Sequence, residues 1–119
     1  MAVLFDSVQK TLTIQTRHST YQMGIAPHNS LLHYYYGPKI EGDSMAYRLR
    51  YADRGFAGNP YEAGKDRTFS FDYLPQEYPV FGVGDFRTTF LTVADAQGGR
   101  ACDLRYGSPK IYEGKPALR

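Results

Sequence analysis

Apolar and polar residues alternate along the first 25 positions in a pattern that predicts antiparallel β-structure. An apolar run at Val3–Phe5 and an alternating segment at Thr11–Thr16 flank a polar turn, which is typical of a β-hairpin. In this arrangement Leu12 and Ile14 point inward. A third strand is predicted over Thr20–Ile25, where the period of two repeats. Its apolar side chains share one face: Tyr21, Met23 and Ile25.

The next segment, Leu31–Tyr36, is continuously apolar or aromatic, and Gly37 and Pro38 follow it. Such a run suits a strand that is covered on both faces. One face would carry Leu31, His33 and Tyr35, and the other Leu32, Tyr34 and Tyr36. We therefore expect a fourth strand that lies inside a layered structure.

Beyond residue 40 the periodicity weakens, and glycines and prolines mark a long connection from Glu41 to Gly64. Shorter segments of β-type composition follow: Thr68–Phe71, Phe86–Ala94, Cys102–Tyr106 and a last one from Ile111. About seven to nine short strands separated by turns favour an all-β, antiparallel β-sandwich over an alternating βαβ fold.

Length and composition restrict the class of protein further. With 119 residues and 42% apolar content, the chain can form one domain, or part of one, around a core. The net charge of +2 does not favour a nucleic acid or an anionic membrane as partner. Cys102 is the only cysteine, so an internal disulfide is excluded. No signal-peptide pattern and no run of about 20 apolar residues occurs, so we expect a soluble, cytoplasmic protein.

Motifs for catalysis or metal binding are weak. The three histidines, His18, His28 and His33, lack metal-ligand spacing, and a single cysteine cannot form a thiolate cluster. Gly82–Gly84 lacks the third glycine and the helix of a dinucleotide site, so a turn is the better interpretation. Hydrolysis of a glycoside needs two suitably spaced carboxyl groups, and 12 acidic residues are too many to select a pair.

A loop of arginines and aromatic residues offers two kinds of binding chemistry. Its members are Tyr47, Arg48, Arg50, Tyr51, Arg54 and Phe56. Such a set stacks bases and neutralises phosphates, or packs on the apolar faces of a sugar while charged groups bind the hydroxyls. Asp53, beside Arg54, is the best single candidate for a sugar contact, and a surface ion pair is the alternative. Asp66 with Arg67, and Asp103 with Arg105, are expected to be structural pairs.

Five ordered blocks resemble the N-terminal region of bacterial α-galactosidases of glycoside hydrolase family 36. They are Arg50–Phe56, Asp66–Ser70, Leu74–Pro79, Gly84–Arg87 and Asp103–Tyr106. The flanking segments Leu32–Gly37 and Lys110–Lys115 are also similar, so the resemblance covers nearly the whole chain. Pro27–Ser30 and Phe90–Leu91 differ from the family pattern, in which a glycine-aromatic pair and a more polar stretch are common.

The resemblance implies that residues 1–119 form the N-terminal part of a large β-sandwich, the N-terminal β-supersandwich domain. The catalytic barrel and a small C-terminal β-domain would lie outside this chain. The intact enzyme would remove terminal α-linked galactose from melibiose, raffinose or stachyose with retention of configuration, without metal or organic cofactor. Two barrel aspartates would perform the chemistry, so this segment would contain no catalytic residue.

Asp53 matches the family position at which the N-terminal domain contributes a carboxylate to the galactose pocket, so the resemblance implies a substrate contact. Arg54 would support the loop. A homo-oligomer, in many members a tetramer, is also implied, with the rest of the polypeptide as a partner. A stand-alone carbohydrate-binding module remains the alternative. A single-strand nucleic-acid-binding domain is a more distant one.

Overall fold

The computed structural model describes residues 1–55 and 58–114. Its regular structure is one antiparallel sheet with the strand order β1-β2-β3-β4, in sequence order. The strands are β1 (Ala2–Asp6), β2 (Thr11–Gln15), β3 (Ser19–Ala26) and β4 (Ser30–Pro38). The predicted hairpin, the two strands after it and the all-β class are therefore confirmed. The expectation that the fourth strand is covered on both faces was wrong for the described residues, since Tyr36 on this strand is 70% exposed.

Side chains in the turns between the strands form hydrogen bonds with the backbone. The Asp6 carboxylate accepts hydrogen bonds from the backbone N–H groups of Val8 and Gln9, at 2.8 and 2.9 Å. Thr16 Oγ1 in the same way accepts from the N–H of Ser19 at 2.9 Å. Because Asp and Thr side chains replace backbone partners in such turns, the strands reverse within a few residues.

The packed face of the sheet is the one whose sequence looks polar. Its buried positions are Thr11, Thr20, Gln22, Gly24, Ala26 and Leu32. The ring of Tyr34 lies over Gly24, where a Cβ atom would stand 2.0 Å from the ring. A glycine is therefore required on β3 to admit an aromatic side chain from β4.

The opposite face, which we call the open face, carries the apolar residues and stays half-buried or exposed. Its members are Val3, Phe5, Leu12, Ile14, Tyr21, Met23, Ile25 and Leu31. The prediction that Leu12 and Ile14 point into the core was thus wrong for the described part of the chain. The reason is that residues 42–55 and 58–74 cover the other side of the sheet.

The core lies between the packed face and an irregular layer formed by residues 42–55 and 58–87. Phe69, Phe71 and Leu74 are buried against Leu32 and Tyr34. Two short 3₁₀ turns in this layer, Met45–Arg48 and Tyr61–Ala63, bring further apolar side chains to the core. The first turn is held by Gln22, whose amide oxygen accepts from Met45 N at 2.7 Å.

The strands predicted after residue 65 do not form within residues 58–114, so the expected count of seven to nine strands was too high. Thr68–Phe71, Phe86–Ala94, Cys102–Tyr106 and the segment from Ile111 are irregular. Isolated bridges pair Leu32 with Gln76 and Val80 with Leu91. A strand needs a neighbour to which its backbone can bind, and these segments find one for only a residue or two.

An ion pair ties this irregular layer together. The Asp85 carboxylate, 1% exposed, is bound by the Arg87 guanidinium at 2.9 and 2.7 Å and by Gln76 Nε2 at 2.8 Å. Arg87 Nη2 also donates to the carbonyl oxygens of Phe71 and Leu74, at 2.6 and 2.7 Å. The Gly84–Arg87 block thus fixes the chain path around the core.

Candidate functional site

The loop that carries Asp53 is anchored at its start by apolar contacts. Leu49 packs against the core, and the ring of Tyr51 stacks on the buried ring of Phe69 at 6.1 Å between centroids. Burial raises the pKa of Tyr51, so its hydroxyl stays neutral. Beyond Tyr51 the chain leaves the core, and Asp53 lies at the surface with 49% of its side chain exposed.

Both oxygens of the Asp53 carboxylate have partners. Oδ1 accepts a hydrogen bond from the N–H of Gly55 at 2.8 Å, and Oδ2 lies 3.3 Å from Nε of Arg67. Arg67 Nη2 also donates to the carbonyl oxygen of Gly55 at 2.9 Å. Gly55 has a φ of 71°, which glycine adopts without strain. One guanidinium therefore binds both the carboxylate and the turn that follows it.

The expected structural pair of Asp66 with Arg67 is replaced by two separate arrangements. Asp66 accepts hydrogen bonds from Thr68, at 2.6 Å from the hydroxyl and 2.8 Å from the N–H. These two bonds lower the pKa of Asp66. Arg67 instead reaches back to Asp53, a contact that adjacency in the sequence did not indicate.

The arginines of this loop stack on rings from distant segments rather than on their aromatic neighbours in sequence. The Arg54 guanidinium lies 5.1 Å from the ring centroid of Tyr73, and that of Arg48 lies 5.6 Å from Tyr35. Arg54 thus has the loop-supporting place expected for it. The interleaved pattern does not form a continuous stacking surface among residues 47–55. Phe56, the last member of the set, lies outside the described residues.

A shallow cavity of about 290 Å³ lies beside the loop and is lined by Arg48, Leu49, Arg50, Tyr73 and Pro75. Asp53 is not among the lining residues. Its carboxylate is half exposed, and each oxygen can accept a further hydrogen bond beyond the one it has among the described residues. A small-molecule pocket buries most of its ligand. A pocket around Asp53 therefore needs a second wall from elsewhere.

The pair of Asp103 and Arg105 is structural, as expected. Arg105 binds the Asp103 carboxylate at 2.6 and 2.8 Å, donates to the carbonyl oxygen of His28 at 2.8 Å and lies over the ring of Phe71. His28 has a φ of 62° in the turn between β3 and β4. The Asp103–Tyr106 block therefore holds a strained turn in the segment that differs from the family pattern.

The histidines do not form a metal site in the parts of the chain that the structure describes, where no three His, Cys, Asp or Glu side chains group suitably. His28 packs edge-on against Phe69. His33 Nδ1 lies 3.1 Å from Glu77 Oε1, and Glu77 also accepts from the hydroxyl of Tyr21. Burial and then Glu77 raise the pKa of Tyr21. No sequence pattern singles out Glu77, although it lies in the Leu74–Pro79 block.

Gly82 and Gly84 belong to a turn, as predicted, with φ values of 111° and 88°. Gly84 also lies against the backbone of Gly58, where a Cβ atom would be 3.0 Å from the carbonyl oxygen.

No helix among the described residues is long and apolar enough to cross a membrane.

Comparison with known proteins identifies the family. The model of the glycosyl hydrolase family 36 N-terminal domain matches residues 29–119. The chain belongs to this family. It is 49% identical over its full length to the bifunctional alpha-galactosidase/sucrose kinase AgaSK of Mediterraneibacter gnavus, and covers 13% of that protein. It is 36% identical over 118 residues to the alpha-galactosidase AgaA of Geobacillus stearothermophilus, covering 99% of the chain and 16% of AgaA.

Solved structures agree with this family 36 assignment. The galactosidase domain of AgaSK superimposes with a TM-score of 0.92 at 49% identity, over 98% of the chain and 16% of that structure. A variant of AgaA in complex with raffinose superimposes with a TM-score of 0.82 at 37% identity, over 92% of the chain and 15% of that structure. The chain thus spans 13–16% of the length of these relatives.

Proposed function

We propose that residues 1–119 are the N-terminal part of an α-galactosidase that removes terminal α-linked galactose from melibiose, raffinose and stachyose. The observation that carries this proposal is the similarity to AgaSK, which extends over the whole chain at 49% identity. Variants of AgaA are solved in complex with raffinose and with stachyose. The catalytic barrel, a small C-terminal β-domain and the two catalytic aspartates belong to the rest of the polypeptide, which works in the cytoplasm.

Within that enzyme, Asp53 binds galactose hydroxyl groups. Each carboxylate oxygen accepts about two hydrogen bonds, and each one has a single partner within residues 1–55 and 58–114. The contacts with Gly55 and Arg67 hold the carboxylate in one orientation, which lowers the entropy lost when a sugar binds. The remaining lone pairs accept hydrogen bonds from two hydroxyl groups. The second wall of the pocket comes from the catalytic barrel or from a neighbouring subunit.

The amount of exposed apolar surface supports a segment of a larger assembly over a stand-alone binding module. The open face is apolar, and six aromatic side chains are at least 60% exposed: Tyr36, Tyr47, Tyr61, Phe86, Phe90 and Tyr112. A soluble monomer rarely exposes that much contiguous apolar surface. In the intact protein these residues pack against the rest of the polypeptide and in the contacts of a homo-oligomer, a tetramer.

The role of Asp53 is tested by replacing it in the full-length enzyme. Asp53→Asn keeps the shape of the side chain but removes its charge and one acceptor. We expect kcat/KM for raffinose to fall by about 10- to 150-fold, because a hydrogen bond to a charged group contributes about 1.5–3 kcal/mol.

The matched control is Glu113→Gln, which removes one exposed carboxylate elsewhere in the chain and should leave kcat/KM unchanged. A circular dichroism spectrum and an oligomeric state equal to those of the parent enzyme establish that the Asp53→Asn variant is folded. If that folded variant hydrolyses raffinose with unaltered kcat/KM, the proposed contact is refuted. If the full-length enzyme hydrolyses no α-galactoside, the proposed activity is refuted.

A further inference from the structure

The hairpin of β1 and β2 forms one side of a second cavity that does not include Asp53. This cavity has a volume of about 500 Å³ and opens between the packed face of the sheet and residues 41–43. A volume of this size lies within the range of small-molecule sites, about 300–1,000 Å³. This volume is larger than that of one hexose unit.

The floor of the cavity consists of hydroxyl and amide groups on adjacent strands. Thr11, Thr13 and Gln15 project from β2 on the same face, and Gln22 projects beside them from β3. Gln22 is only 3% exposed and is held on both sides, by Thr13 Oγ1 at 3.1 Å and by Met45 N at 2.7 Å. The polar floor is therefore rigid before any ligand arrives.

The wall formed by residues 41–43 is fastened to the hairpin by one side chain. Gln9 Nε2 donates to Asp43 Oδ1 at 3.2 Å, and Gln9 Oε1 accepts from Ser44 N at 2.7 Å. Gln15 Nε2 adds a bond to the carbonyl oxygen of Ile40 at 2.9 Å. These bonds hold Glu41 and Asp43 at the rim of the cavity.

One hydroxyl on the floor of this cavity has no partner among the described residues. Thr11 is 4% exposed and lines the cavity, and its hydroxyl makes no hydrogen bond with residues 1–55 or 58–114. Among the described residues Ser30 Oγ is the fully buried side-chain oxygen that lacks a partner, so the Thr11 hydroxyl is not sealed off and is open to the cavity. A ligand hydroxyl that enters the cavity can supply the missing hydrogen bond.

The charge of the lining selects the ligand class. The acidic side chains are Asp6, Glu41 and Asp43, and no Lys or Arg lines the described cavity. Phosphates and carboxylates are therefore repelled. The acidic residues do not group closely enough for a metal ion within the described chain. Carboxylates, amides and hydroxyls together both donate to and accept from sugar hydroxyls, and Leu4 and Phe5 offer apolar contact at the edge.

We propose that this cavity is a second, non-catalytic site that binds a neutral sugar, one hexose unit, through Thr11, Gln22 and the rim carboxylates. The site is separate from Asp53, and it rests on the proposed function only in the choice of galactose as probe. A bound sugar would keep galactosides close to the enzyme without taking part in hydrolysis.

The test uses the full-length enzyme with its active site saturated by 1-deoxygalactonojirimycin, a compound found in complex with a variant of AgaA. Galactose is then titrated and followed by saturation-transfer difference NMR. We expect saturable binding of galactose despite the blocked active site. Thr11→Val, which removes only the unpartnered hydroxyl, should weaken this binding at least fivefold, whereas the exposed control Thr92→Val should not change it.

A second variant, at the exposed rim, tests the site without altering the buried floor of the cavity. Glu41→Gln at the exposed rim should weaken galactose binding at least threefold, and Glu113→Gln should leave it unaltered. The absence of saturable binding to the blocked enzyme would overturn the proposal. Competition of galactose by spermidine or Ca²⁺ at equal concentration would also overturn it, because the cavity would then be a cation site.

The two proposals fail separately in this design. Thr11→Val should leave kcat/KM for dilute raffinose within twofold of the parent enzyme. Asp53→Asn should lower kcat/KM but leave galactose binding to the blocked enzyme unchanged. If Asp53→Asn abolishes the residual binding of galactose, the signal comes from the active site and the second site is refuted.

Discussion

The buried carboxylate of Asp85 is the place where a single substitution should loosen the irregular layer most clearly. Asp85→Asn keeps the size of the side chain but removes the charge that faces Arg87. The carboxylate accepts three side-chain hydrogen bonds, two from Arg87 and one from Gln76, and also the N–H of Arg87 at 3.0 Å. The substitution leaves the guanidinium with an amide in place of its counter-ion.

The magnitude follows from the burial of the two partners. Removing one member of a fully buried ion pair costs about 3–5 kcal/mol, because the other charge is left without compensation. Here the Arg87 side chain is 43% exposed, so water recovers part of that cost. We expect Asp85→Asn to lower the free energy of local opening by about 2–3 kcal/mol.

The assay is hydrogen exchange with mass spectrometry on the full-length enzyme, because thermal unfolding of a multidomain protein is not a two-state process. The reporters are the amides of Leu74 and Glu77, which donate to Ser70 and Leu31. Since about 1.36 kcal/mol corresponds to a factor of ten, exchange in this segment should accelerate about 30- to 150-fold.

The matched control is Asp95→Asn. Asp95 forms the same kind of turn, accepting from the N–H of Gln97 at 2.9 Å, but it is exposed and has no arginine partner among the described residues. Its substitution should accelerate exchange by less than about fivefold, because Asn keeps an oxygen that can accept the two exposed bonds, from Gln97 and Gly99. If the two variants accelerate exchange around Leu74 equally, the buried ion pair does not stabilise this layer and the reasoning is wrong.

Three further outcomes are expected. Arg67→Ala should lower kcat/KM for raffinose by about 5- to 20-fold, because Asp53 loses the guanidinium that positions it. Arg67→Lys keeps the charge and should lower kcat/KM less, so an equal loss in the two variants would contradict a positioning role. Gly24→Ala should destabilise the sheet by about 1–3 kcal/mol because its Cβ meets the ring of Tyr34. Tyr34→Leu should relieve part of that loss, as measured by hydrogen exchange of the β3 and β4 amides in the full-length enzyme. Burial raises the pKa of Asp85, but the bonds from Arg87 and Gln76 outweigh burial, so the folded pKa is lowered. The stability that this carboxylate contributes is therefore fully present above its unfolded pKa of about 3.9 and is lost as the pH falls through the folded pKa. Pepsin should cleave this layer increasingly below about pH 4, and the pH dependence of cleavage should be weaker in Asp85→Asn.

The four strands were predictable because their pattern is local. Period-two alternation and a polar turn specify a hairpin from neighbouring residues alone, and β1 to β4 follow one another in sequence and in space. The strands expected near Phe90 and Leu104 depended on the same kind of pattern but form only isolated contacts. A β-type composition shows that a segment can adopt an extended conformation, but a strand forms only where a partner strand is available for hydrogen bonding.

The candidate site was predictable only in part. Asp53 was chosen as a candidate, and Arg54 as its support, from their place in an arginine-rich loop. The contact of Asp53 with Arg67 joins residues 14 positions apart, and that of Glu77 with Tyr21 joins positions 56 apart. Periodicity in the sequence does not predict such long-range contacts, because they depend on how the irregular layer packs against the sheet.

The sequence by itself thus determined the all-β class, the hairpin order of the first 38 residues and the family, because these depend on local alternation and on ordered motifs. Only the tertiary structure decided which face of the sheet is covered. Thr20, Gln22 and Gly24 are buried because residues 40–55 and 58–74 pack on their side of the sheet, where Ile40 bonds to the hydroxyl of Thr20 and Met45 to the amide of Gln22. Leu12, Ile14 and Met23, on the other side, remain half-buried. Alternation distinguishes two faces of a sheet, but the segment that covers one of them is chosen by long-range packing.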